Sequence, residues 1–117
     1  MPALDDVNKK QGAFTMILKN FYKVVYDFIN QNKQKIIDYK QQLKQAGGYN
    51  NFDLRLAFDC FYAHRRQATI QARQAGNVDF YFDDLICDVC NLDKRQGIKD
   101  NYIATLYKKV LQDCGLL

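Results

Sequence analysis

The chain contains no tryptophan and no glutamate, and it has one proline, Pro2, and one histidine, His64. With proline confined to position 2, no later residue is barred from a helix by a missing backbone N–H. Without glutamate every acid is an aspartate, so a calcium loop closed by a bidentate Glu cannot be built. One histidine excludes the two-histidine zinc-hydrolase helix, and no phosphate loop, nucleophile elbow or dinucleotide fingerprint occurs anywhere. No apolar run approaches the roughly 20 residues that span a bilayer. The start, Met1-Pro2-Ala3-Leu4-Asp5-Asp6, lacks the basic flank and apolar stretch of a secretory signal. Four cysteines in 117 residues are too few for a disulfide scaffold and read as thiols of a reducing compartment. Together these absences lead to the expectation of a cytoplasmic, non-enzymatic protein that does not enter membranes.

What is present suits a folding chain: 48% hydrophobic and 26% charged residues, with eight Tyr and eight Phe to replace tryptophan in the core. Length and the absence of any linker or repeat predict one domain over residues 1–117. The net charge of +4 is uneven. Residues 1–50 hold eight Lys and four Asp, which is the whole excess, whereas residues 51–117 carry nine bases and nine Asp. Such a balance permits nucleic-acid binding without requiring it.

Periodicity predicts an all-α bundle of four or five helices. Across residues 5–46, Phe14, Leu18, Phe21, Val25, Phe28 and Asn32 recur at spacings of three and four, flanked by Ile17, Val24 and Ile29. Ile36, Ile37, Tyr39 and Leu43 continue the pattern, as one long helix or as two with a bend near residues 30–33, until Gly47-Gly48 stops it. Four aromatic rings along the first part are too bulky for a coiled-coil dimer seam, which favours packing within the domain. Asp53 is the expected N-cap of a helix reaching about Ala75. Its main apolar stripe is Leu54, Ala57, Phe58, Phe61, Ala68 and Ala72, and a weaker one is Leu56, Ala63 and Ile70, so it is expected at the bundle's centre or shared with another subunit. Val78, Phe80 and Phe82 alternate briefly before helical spacing resumes at Phe82, Leu85, Ile86 and Val89. Asp100 is the expected cap of a last helix with Ile103, Leu106, Tyr107, Val110 and Cys114 on its apolar face.

Several constellations bear on chemistry. Cys60 and His64, one helical turn apart, and the pair Cys87 and Cys90 supply three thiolates and an imidazole, a sufficient set for tetrahedral zinc. The spacing matches no common finger, and cysteines flanked by aromatics are ordinary core residues. As a redox pair, Cys87 and Cys90 lack a helix N-terminus and lie beside Asp83, Asp84 and Asp88, which raise a thiol's pKa. His64 precedes Arg65-Arg66 and is expected at the surface or boundary, with no oxyanion feature to make a Cys–His pair catalytic. Asp79, Asp83, Asp84, Asp88 and Asp93 have no metal-loop register and fit capping and the helix dipole. The last two helices are separated by more than a helix-turn-helix turn.

The most informative pattern is on the third helix. At about 100° per residue, Arg55, Tyr62, Arg66 and Arg73 fall within roughly 20° of one line. Guanidinium groups with an aromatic between them suit phosphates, stacked bases or a partner's carboxylates. Lys94, Arg95 and Lys99, followed by Lys108 and Lys109, are candidates to extend the surface, while the Asp79–Asp93 stretch is a candidate to neutralise it. The expected function is an interaction protein that acts on nucleic acid or on a nucleic-acid-handling complex through the Arg55–Arg73 face. Two alternatives stand beside it: a protein-binding adaptor or inhibitor that uses the Leu56–Ala63–Ile70 stripe or exposed aromatics, with a homodimer as one form it can take, and a zinc-stabilised module.

Overall fold

The computed structural model describes residues 17–95 and 97–117, so the expected helical residues before 17, Phe14 among them, lie outside the described part. Five helices follow: α1 (Lys19–Gln31), α2 (Lys33–Ala46), α3 (Phe52–Gln74), α4 (Phe82–Cys90) and α5 (Asp100–Asp113). The described residues contain no strand. The all-α bundle is therefore as expected. Its thinnest dimension is 22 Å, two helix diameters.

The stripe of α1 becomes its core face: Leu18, Phe21, Val25, Phe28 and Ile29 are buried, whereas Ile17 stays exposed. The break between α1 and α2 falls at Asn32, which resolves the pattern into two helices. Asn32 departs from helical geometry (φ −114°, ψ 19°), and its side-chain Nδ2 donates to the Phe28 carbonyl at 2.8 Å. A short amide side chain that competes for a backbone carbonyl is a common way to bend a helix. Beyond it α2 buries only Ile36 and Leu43. Hydrogen bonds at its margins help hold it in place: Lys40 Nζ donates to the Leu116 carbonyl at 2.6 Å, and Tyr39 donates to Asp59 of α3.

Helix α3 begins at Asn51 rather than at the expected Asp53. Asn51 has extended backbone angles (φ −137°, ψ 90°), and its Oδ1 accepts from the Leu54 N–H at 3.1 Å, as an N-cap does. Asp53 instead lies inside the first turn, where a carboxylate favours the helix dipole. Likewise Lys99 stands at the N-cap of α5, with Asp100 in the first turn. Helix α3 ends in a Schellman motif: Asn77 N–H donates to the Ala72 carbonyl at 2.9 Å and Gly76 N–H to Arg73 at 3.0 Å. Gly76 has φ +95°, a conformation open to glycine and strained for other residues. The same motif, at Gly115, turns the chain end so that Leu116 is buried.

The core joins α3 to α5, with α1 laid across α5 and α4. Helix α3 contributes Leu56, Ala57, Cys60, Phe61 and His64; α5 contributes Ile103, Ala104, Leu106, Tyr107, Val110 and Leu111. Against expectation, His64 is 8% exposed and belongs to this core. The positions of Cys60, Phe61 and His64, at i, i+1 and i+4, continue one helical face inward, and this outweighs the two arginines that follow. The His64 ring stacks on Phe28 with centroids 4.1 Å apart and planes 8° apart, and meets Phe82 edge-on at 4.9 Å. Its Nδ1 lies 2.7 Å from the Tyr107 hydroxyl. Burial lowers its pKa from 6.5 to about 4, so the ring is neutral at pH 7.

This predicts an acid-sensitive stability. Between pH 6.5 and 4 the unfolded chain binds a proton at His64 that the folded chain refuses, so stability is full above pH 6.5 and declines as pH falls toward 4. The loss is about 3 kcal/mol. Melting temperature measured across this window is expected to fall. A His64→Gln variant, less stable at pH 7, is expected to lose most of the slope; an unchanged slope in that variant would assign the effect to other groups.

Candidate functional site

The four residues expected to form one line on α3 have separate fates. Arg55, near the start of the helix, is engaged internally. Its Nε lies 2.9 Å from Asp59 Oδ2, and its guanidinium sits 5.2 Å from the Tyr49 ring centroid. Asp59 also accepts from Tyr39, so this group links α2 to α3. Tyr62, Arg66 and Arg73, by contrast, are exposed. Arg66 and Arg73 make no ion pair or hydrogen bond among the described residues. Arg73 also stands in the last turn, where a cation complements the helix dipole.

After His64, α3 contributes no buried side chain for its remaining ten positions, although Ala68 packs against the core's edge. This segment forms one wall of a groove of about 740 Å³, presenting Tyr62, Arg65, Arg66 and Arg73. Phe80, Tyr81 and the start of α4, with Asp83 and Asp84, line the groove as well. On the other side of Tyr62 and Arg66, a second groove of about 510 Å³ runs past Phe28, Ile36 and Tyr39. Tyr62 and Arg66 thus stand on a ridge between two depressions.

Two residues of the first groove were not singled out by the sequence pattern. The Arg65 guanidinium lies 4.9 Å from the Tyr62 centroid and 5.3 Å from that of Phe61, a cation–π arrangement that holds it beside the groove. The signal was the three- and four-residue spacing from Tyr62 and Phe61. Tyr81 is 63% exposed, between the partly buried Phe80 and the buried Phe82; its signal was its place outside the Val78–Phe80–Phe82 alternation.

The cations after α4 form a different surface. Lys94 pairs with Asp88 at 3.1 Å and Arg95 with Asp93 at 3.5 Å, while Lys99 is exposed without an ion pair among the described residues. Asp83 and Asp84 line both the arginine groove and a small cavity next to Lys94, so two carboxylates interrupt the basic surface. The expected neutralisation by the acidic stretch therefore reaches Lys94 and Arg95 but not Arg66 or Arg73. Helix α5 turns one whole face into the core, and the connection from Asn91 to Lys99 is longer than a helix-turn-helix turn.

The structure does not gather the zinc candidates. Among the described residues no group of three or more His, Cys, Asp or Glu side chains could hold a metal ion. Cys60, Cys87 and Cys90 are buried free thiols, and His64 Nδ1 faces Tyr107. The Leu56–Ala63–Ile70 stripe is also divided: Leu56 is fully buried, while Ala63 and Ile70 are exposed. Burial, with Asp59 beside it, pushes the Cys60 thiol up to about 12, and Cys87 and Cys90 are raised chiefly by burial too. Cys114 is the one half-exposed thiol. At pH 8 a small maleimide is expected to label Cys114 first in the folded protein, with the other three following only on denaturation. Mass mapping of the labelled peptides checks this, and rapid native labelling of Cys87 or Cys90 would show that α4 opens. No protein-family model, curated protein or solved structure matches this chain.

Proposed function

We propose that this chain is a non-enzymatic interaction protein that binds nucleic acid through the second half of α3. One observation carries the reading. A ten-residue helical segment that buries no side chain presents two guanidinium groups, Arg66 and Arg73, without partners among the described residues, next to an exposed tyrosine, Tyr62. Guanidinium groups bind phosphate oxygens in a bidentate fork, and the neighbouring ring offers a face to a base. Arg65, held against Tyr62, adds a third positive charge to the same wall. Arg55, tied to Asp59, supports the helix's position rather than the contact.

A protein-binding adaptor is the second reading, favoured by Ile70, Val78 and Tyr81, which are exposed around the same end of α3. The two differ in their response to salt. Each phosphate contact gives log K a slope of about −0.7 to −0.9 against log salt, whereas apolar docking leaves affinity nearly constant.

The test is a charge reversal. Arg66→Glu combined with Arg73→Glu is expected to abolish binding to mixed-sequence DNA and RNA in filter-binding assays. Helicity and melting temperature are expected to stay within the range of ordinary surface substitutions, about 0.5 kcal/mol. A folded double variant that binds as well as the parent would overturn the proposal.

A further inference from the structure

The groove itself allows a narrower assignment, which rests on the nucleic-acid reading. We infer that it is a site for single-stranded nucleic acid, in which Tyr62 and Tyr81 stack on unpaired bases while Arg66 and Arg73 hold the backbone. The site is concave, about 740 Å³, and lined by α3 together with the α3–α4 connection. A depression of this kind receives a strand, whereas duplex readers insert an element of their own into a groove.

Tyr62 and Tyr81 are 37% and 63% exposed and both line this groove. A base inside a duplex has both faces covered by its neighbours, so these rings would gain nothing from it. Arg65 lies over the Tyr62 ring, which leaves that ring one side at most, whereas an unpaired base can cover Tyr81 directly.

The arginines lie along α3, and Asp83 and Asp84 lie at the start of α4. A single strand can run its phosphates along the arginines and turn its bases toward the tyrosines, away from like charge. A duplex carries a second row of phosphates and brings negative charge toward the aspartates as well. Arg66 and Arg73 are seven residues apart, about 10 Å along the helix axis. That distance corresponds to about three nucleotides of a stacked strand at its 3.4 Å rise.

The experiment uses the full chain and two dye-labelled probes, an oligothymidylate of about twelve nucleotides and a duplex of the same length, in fluorescence anisotropy. The single strand is expected to bind at least about tenfold more tightly than the duplex. Tyr62→Ala and Tyr81→Ala are each expected to weaken single-strand binding by roughly fivefold to a hundredfold, with unchanged circular dichroism. Tyr81 is the more decisive of the two because its greater exposure makes a folding defect least expected. Equal or tighter duplex binding overturns the single-strand assignment, as does a folded Tyr81→Ala variant with parental affinity. If the arginine reversal still abolishes binding in those cases, the broader nucleic-acid reading survives. Failure of the parent protein to bind either probe removes both.

Discussion

The neutral imidazole of His64, stacked on Phe28 and facing the Tyr107 hydroxyl, is the contact on which the arrangement of the helices depends. Phe28 comes from α1, His64 from α3, Phe82 from α4 and Tyr107 from α5, so one ring touches side chains of three other helices. Phe21 and Phe61 extend the cluster, with centroid separations of 5.4 to 6.5 Å among Phe21, Phe61, Phe82 and Tyr107. Aromatic side chains bury large surfaces and favour offset and edge-on geometries that fix mutual orientation. A chain without tryptophan obtains its central mass in this way, from several smaller rings. The cost is one polar atom inside the cluster, and the hydroxyl of Tyr107 meets it.

Helix α2 stands apart from this cluster and shows what the remaining interactions accomplish. It buries two side chains and follows a break at Asn32, so apolar burial alone holds it weakly. Its added restraints are the Asp59 group, which Arg55 and Tyr39 share, and the bond from Lys40 to the Leu116 carbonyl. Polar contacts at a helix margin contribute little individually. Here they act on an element whose position is otherwise loosely set, and this explains why an arginine expected at a ligand surface is used inside the fold.

Much of the fold was legible because it follows from periodicity. The α1 stripe, the bend near Asn32, the stop at Gly47-Gly48 and the apolar face of α5 all follow from spacings of three and four and from residues that break them. Local detail was less legible. Asn51 and Asp53 are both competent caps, and only the extended angles at Asn51 decide between them. Cys114 fits the face of α5 by spacing, yet it sits where the helix ends and stays half-exposed. His64 illustrates the deeper limit. Its charged successors point outward, whereas its phase relative to Cys60 and Phe61 points inward, and phase prevails because burial of a helix face is collective. The arginine line was correctly phased, but phase does not say which guanidinium has a carboxylate one turn away. Tyr81 could not be found by helical phase, since it lies in an irregular connection.

The division of α3 at His64 separates a core-forming half from a solvent-facing half within one helix. Up to and including that residue the helix supplies five buried side chains; after it the helix supplies none. A core-facing helix needs only the length that reaches its partners. Continuing for about ten more residues adds roughly 15 Å of helix with little apolar burial to stabilise it. The extension is secured by local means: Arg73 complements the dipole, and the Gly76 motif satisfies terminal carbonyls. Local devices keep a helix formed without fixing what it touches. Its outward side chains are therefore little constrained by packing, and substitutions among them are expected to have little effect on the core.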